Sequence, residues 1–198
     1  TVDALRENDL KTFNSLGELP PDLEPEIVIF AVKPQTMDEA APAYSRYCSA
    51  NTTFLSIAAG KTIRYFEDIL GTDAIIVRAM PNTPASIRRG ITVAIGNARV
   101  SNTQQETCRK LLEAVGKVLW VENEELIDIV TALSGGGPAY VFLLTECMAQ
   151  AGIDAGLPAE LSNKLARVTV SGAGELMNKS NENPTILRQN VTSRGGTT

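Results

Sequence analysis

The 198-residue chain contains no histidine. Its absence excludes Ser-His-Asp and Cys-His catalytic engines, the usual general base near neutral pH and every His-ligated zinc site. Cysteine is scarce: Cys48, Cys108 and Cys147 are odd in number, far apart and never in a C-x-x-C pair. That pattern supports neither a disulfide framework nor a metal knuckle, so no metal site is expected, and reduced, buried thiols suit a cytoplasmic protein. No uninterrupted apolar run reaches the roughly 18 to 20 residues that span a bilayer, and Thr1-Val2-Asp3 is not a signal-peptide start. No membrane association is expected, and the N-x-S/T triplets at Asn51, Asn178 and Asn190 are chance matches. Positive charge is also short, with 18 Lys and Arg against 23 Asp and Glu for a net charge of −5, which argues against nucleic acid as a partner.

What is present has two rhythms. Ile27 to Val32 is a continuous apolar run stopped by Lys33-Pro34, as expected of a strand buried on both faces. Strand-like runs follow at 53–58, 74–80, 91–95 and 118–121, separated by helical patterns at 38–48, 62–70 and 102–115. Strands alternating with helices predict an α/β domain with a mostly parallel sheet. From Leu126 onward the reading is helix after helix, at 126–133, 138–155, 158–178 and 184–190. The 138–155 helix is apolar nearly all round, which calls for a bundle or a subunit interface to cover it. The domain boundary is placed at the acidic stretch 122–125, dividing residues 1–122 from 123–198.

Several stretches are candidates for chemistry. Val32-Lys33-Pro34-Gln35 and Ala58-Ala59-Gly60-Lys61 end strands, where ligands of open α/β sheets bind, although each alone reads equally well as a plain βα turn. Met80-Pro81-Asn82-Thr83-Pro84 is a rigid loop presenting two polar side chains between prolines. In Thr131 to Pro138 a helix stops in three glycines and restarts at proline, which could form an anion nest or a simple helix corner. At the end, Thr192 to Thr198 concentrates hydroxyls and bare amides that suit a small carboxylate, with a polar tail as the alternative.

Taken in order, Val32-Lys33-Pro34-Gln35, Met80 to Pro84, Leu133-Ser134-Gly135 with Gly137-Pro138-Ala139-Tyr140, and Ser193 with Gly195 to Thr198 resemble the signature blocks of pyrroline-5-carboxylate reductases. The resemblance runs from about Glu26 to the last residue. It implies a Rossmann-like dinucleotide-binding domain followed by an all-helical dimerisation domain, and NADPH- or NADH-dependent reduction of 1-pyrroline-5-carboxylate to L-proline by a homodimer or an oligomer built on dimers. It further implies that Val32, Lys33, Pro34, Ala58, Ala59, Gly60 and Asn82 face the dinucleotide. Ser193, Gly195, Gly196, Thr197 and Thr198 would hold the substrate carboxylate, and the hydroxyl of Thr131 would lie near the ring nitrogen. The missing histidine fits this chemistry, because a protonated imine is already electrophilic and needs mainly positioning.

The chain departs from the pattern in places. Gly136 stands where the family usually has Ser, and Arg194 where it usually has Pro. The family's first strand and Gly-rich phosphate turn have no counterpart, and its last helical stretch is absent, so a fragment is expected that binds dinucleotide poorly on its own. A non-catalytic dimerisation module and a reductase of another cyclic imino acid are the alternative readings.

Overall fold

A computed structural model describes residues 10–193, 195 and 196. By packing, the chain divides into two compact units, one ending at Gly136 and the other beginning at Gly137.

In the first unit the described residues form a sheet of β1 (Ile27–Phe30), β2 (Thr53–Ser56), β3 (Ile75–Met80), β4 (Gly90–Gly96) and β5 (Gly116–Trp120), adjacent in space in that same order. The first three strands are parallel, in a register that aligns Phe30 with Ser56 and Ser56 with Arg78. β4 runs antiparallel to β3, and β5 runs parallel to β4. The reversal has a local cause. Only a short loop with a 3-10 turn at Thr83–Ile87 separates β3 from β4, too little chain for a parallel crossover.

Alternation of side chains along the strands builds a core on each face of the sheet. Val28, Phe30, Phe54 and Ile76 pack with Met37, Phe66 and Ile127, and here Phe30 stacks on Phe54 at 6.0 Å and on Phe66 at 5.3 Å. Leu55, Val77, Ala79, Ala94 and Val118 pack against Cys108 and Leu112 on the other face. Each large side chain removed from water contributes about 1.5–3 kcal/mol. The expectation that β1 is buried on both faces is corrected: Ile29 is 47% exposed, because the second face is covered mainly through Cys108 and Leu112, which pack near β2 to β5.

The helices are α1 (Met37–Ala40), α2 (Ile63–Leu70), α3 (Asn102–Glu113) and α4 (Leu126–Val130). The 38–48 pattern becomes one α-turn followed by a 3-10 segment, Ala41–Tyr47, since Pro42 removes a backbone donor. Thr62 caps α2 by accepting from Tyr65 N at 3.1 Å, and Ser101 with Gln104 forms a reciprocal capping box on α3. Buried Cys108 has its thiol pushed up to about 11 by desolvation, as befits an inert core residue. Cys48 is only half-buried and Cys147 is exposed, so burial of all three thiols does not hold. Arg88 ends the 3-10 turn in the left-handed region at φ 59°. An L side chain there costs roughly 1–2 kcal/mol. Arg88→Gly is therefore expected to raise stability by about 1 kcal/mol after glycine's added unfolded-state entropy is deducted. A urea midpoint unchanged or lowered in the variant would remove the strain reading.

The second unit contains α5 (Gly137–Asp154), α6 (Ala159–Lys179) and α7 (Pro184–Asn190). α5 and α6 approach closely at Gly152, where an added Cβ would lie 2.2 Å from Ser162 Oγ, and the buried Ser162 hydroxyl donates to Ala149 O at 2.6 Å. Much of the remaining apolar surface is exposed, including Phe142, Leu143, Leu144, Val168, Leu176 and Met177. The stretch Leu126–Asp154 is, by length and composition alone, apolar enough to cross a membrane, although it holds no uninterrupted apolar run of that length. Its apolar residues are interrupted by small and polar ones rather than continuous, which is why it does not stand out as a run.

Candidate active site

Because β1, β2 and β3 are parallel and in register, their carboxyl ends meet at one edge of the sheet. The loops that leave this edge carry Val32-Lys33-Pro34, Ala58-Ala59-Gly60 and Asn82. Residues scattered over fifty positions are thereby gathered by topology.

In the first loop, Val32 and Lys33 are exposed and Lys33 is extended. Pro34 then opens a single 3-10 turn, in which Thr36 N and Thr36 Oγ1 both donate to Lys33 O at 3.0 Å. In the second loop, Ala58 is buried and its amide donates to Ser56 Oγ at 3.2 Å, while Gly60 is exposed with φ 73°. A Cβ at Gly60 would meet nothing within 4 Å, so the backbone there borders open space. Lys61 Nζ bonds Asp38 Oδ1 at 2.8 Å and lies 4.0 Å over the Tyr65 ring, and the Tyr65 hydroxyl donates to the same carboxylate oxygen. These contacts tie the two loops together. The bonds from Lys61 and Tyr65 hold the Asp38 carboxyl below its usual range, and the bond to Asp38 raises Lys61. The pairing is thus present through neutral pH and is lost on acidification, as Asp38 is protonated, or in strong alkali, as Lys61 is deprotonated.

The Asn82 amide is engaged on both sides. Its Oδ1 accepts from Ile91 N at 3.0 Å, and its Nδ2 donates to Ser134 O at 3.2 Å. The second of these bonds fastens the turn Thr131–Gly135 to the sheet edge. That turn corrects the expected helix stop: it is one turn of π-helix, closed by Gly136 N donating to Thr131 O at 2.8 Å, with Gly136 itself right-handed at φ −80° and ψ −17°. A nest of free amides does not form at Gly136, because its amide is already bonded. Gly135 packs on Met80, where a Cβ would come within 2.4 Å of the methionine's Cε. The Thr131 hydroxyl donates to Ile127 O at 2.7 Å, which turns its oxygen lone pairs away from the helix backbone.

Sequence reasoning overlooked Arg78. This strand residue is 2% exposed, and its guanidinium bonds Glu124 Oε1 at 2.8 Å and Asp128 Oδ1 at 3.0 Å. The only available signal was an arginine in an otherwise apolar strand. Asp38 and Tyr65 were overlooked too, and so was the bond of Asp38 to Lys61, as these partners lie more than twenty positions apart.

In the second unit, Ser193 and Gly196 lie in one tight turn, with Gly196 N donating to Ser193 O at 3.0 Å and Gly195 in the left-handed region at φ 79°. Thr197, Thr198 and the departing Arg194 lie outside the described residues. A cavity of about 870 Å³ lies instead at the amino ends of β1 to β3, lined by residues such as Glu26, Ser49, Asp73 and Arg99, the last two already paired at 2.9 Å.

Residues 124–198 match the family model for pyrroline-5-carboxylate reductase dimerisation. The pyrroline-5-carboxylate reductase of Pseudomonas aeruginosa is 42% identical over 173 residues, covering 87% of this chain and 63% of the relative. Among solved structures, the Coxiella burnetii pyrroline-5-carboxylate reductase superimposes with a TM-score of 0.80 at 37% identity, over 87% of this chain and 64% of that one. The Plasmodium falciparum pyrroline carboxylate reductase, solved with NADP bound, gives 0.76 at 33% identity, over 86% and 64%. The chain spans a little under two thirds of the length of these relatives.

Proposed function

The chain belongs to the pyrroline-5-carboxylate reductase family, and from that premise we propose that the protein reduces 1-pyrroline-5-carboxylate to L-proline at the expense of NADPH or NADH. The observation that carries the reading is the convergence of three strand-end loops on one edge of the sheet, with the Thr131 turn fastened to it through Asn82.

The residues at that edge fit a nicotinamide dinucleotide. Ala58, Ala59 and Gly60 are small, and the backbone at Gly60 borders open space, so a flat ring can approach without meeting side chains. Val32, Lys33 and Pro34 would flank it, and Asn82 would fix the loop beneath it. When bound, the dinucleotide supplies the hydride. The chain's own task is to orient the imine and exclude misaligned poses.

Thr131 is suited to that task by its hydrogen bond. Its proton is committed to Ile127 O, so its oxygen accepts, and the natural donor is the N–H of a protonated cyclic imine and then of the amine product. No protein acid is needed, since the substrate nitrogen arrives protonated. The hydroxyl of Ser193 and the amides around Gly195 and Gly196, with Thr197 and Thr198, would receive the substrate carboxylate. The exposed apolar faces of α5 and α6 would be covered by a second copy, in a dinucleotide-binding and helical-dimerisation division of labour suited to the cytoplasm.

The direct test is oxidation of NADPH or NADH by the full-length gene product on addition of 1-pyrroline-5-carboxylate, with proline-dependent reduction of NADP⁺ or NAD⁺ as the reverse assay. Turnover is expected in both directions. A folded full-length product inactive in both would overturn the proposal in favour of a purely structural dimerisation module.

A further inference from the structure

At the end of β3 and in the extended residues just past it, every second residue touches the segment that carries Thr131. Arg78 bonds Glu124 and Asp128, Met80 packs on Gly135, and Asn82 bonds Ser134 O. Residues two apart share one face of a strand, so this face works as a rail along which the 124–135 segment is seated. The rail begins with a buried charge. Arg78 has a 3% exposed side chain, yet Asp128 is 77% exposed and Glu124 28% exposed, so the ion pairs reach from the core outward to the first turn of α4. Glu124 Oε1 also accepts from Ile63 N at 2.8 Å, joining the start of α2 to the same guanidinium.

Between the two attachment points lies the bond that orients the hydroxyl. Ile127, 1% exposed, sits next to Asp128 and presents its carbonyl to Thr131 Oγ1. A slip of α4 along the rail would move that carbonyl, and with it the direction of the Thr131 lone pairs. The π-turn makes the arrangement sensitive, since its wider loop is held by an i to i+5 bond rather than by the regular ladder. We infer that Arg78 is a positioning residue for Thr131, acting through Asp128 and Glu124. The inference rests on the reductase reading for its kinetic test, but its structural test is independent of that reading.

The experiment uses the full-length protein and Asp128→Asn, an exposed change that should leave the melting temperature within roughly 2 °C of the parent. It is expected to lower kcat about tenfold while leaving KM for NADPH unchanged, because a misdirected group costs rate rather than cofactor affinity. In a Thr131→Val background the same change should cost nothing further. Arg78→Lys, which keeps the charge but cannot fork to two carboxylates, should resemble Asp128→Asn. Hydrogen exchange at the Gly136 amide, which closes the π-turn, should quicken in both variants. Multiplicative losses in the double variant, or unchanged exchange at Gly136, would overturn the inference. If the parent shows no turnover at all, the reductase reading fails, and the exchange comparison alone decides the positioning role.

Discussion

Gly116→Ala is expected to unfold the first unit or to lower its melting temperature by more than any other single substitution considered for this chain. Gly116 opens β5 directly opposite Gly90, which opens β4, and the two strands are parallel from that first pair onward. A Cβ at Gly116 would stand 2.0 Å from the Gly90 carbonyl oxygen and 2.5 Å from its carbon. These are backbone atoms, so no rotamer change relieves the contact. The φ of 153° adds strain for an L residue, and Gly90 N is already fixed by its 3.1 Å bond to Val115 O, so the strands cannot separate without losing the pairing. Overpacking of this kind costs about 1–3 kcal/mol or more, and the backbone strain adds about 1–2 kcal/mol. At roughly 2–4 °C per kcal/mol, the midpoint should fall by about 10 °C. Thermal denaturation followed by circular dichroism reads it, and a shift of less than roughly 3 °C would show that the strand ends yield more easily than the geometry allows.

The largest effect on activity is expected from Thr131→Val. Valine keeps the shape and the methyl group but removes both the bond to Ile127 O and the oxygen that would accept from the imine N–H. Hydrogen bonds to charged partners are worth about 1.5–3 kcal/mol, so kcat should drop roughly 10- to 150-fold. KM for the dinucleotide should stay near the parent value, because the change lies away from the loops at 32–34 and 58–60. Thr131→Ser, which restores the oxygen, should recover most of the rate. Steady-state kinetics on the full-length product with both variants separates the outcomes, and a valine variant as fast as the parent would remove Thr131 from the reaction.

Much of the fold could be read directly from local pattern. The strand runs and helix periods fall within a few residues of the observed elements, and Ser101 with Gln104 announces the start of α3 at the spacing a capping box requires. The antiparallel course of β4 was legible too, in the shortness of the chain between Met80 and Gly90, but the regular alternation of strands and helices outweighed it. The candidate loops at 32–34, 58–60 and 82 were visible as motifs, and the sheet explains why they share an edge. The π-turn was not visible. Three glycines before a proline read as a break, whereas here the Gly136 amide closes a wider turn onto Thr131. Two divisions are present here: packing separates the chain after Gly136, because Ile127 belongs to the sheet's core, whereas the dimerisation family model begins at residue 124, within the acidic stretch at 122–125. Arg78 escaped because its partners lie 46 and 50 positions away, a distance no local pattern spans.

The sheet has one further property. Its strands stand side by side in the order in which they are synthesised. Among the described strands each pairs with the one before it in the chain, so the loop closed at each step joins neighbours and does not grow with the width of the sheet. Growth by accretion of this kind limits the time that an apolar edge such as that of β3 is open to neighbouring chains during translation. The segment that carries Thr131 follows β5 in the chain, so it is seated only on strands made before it.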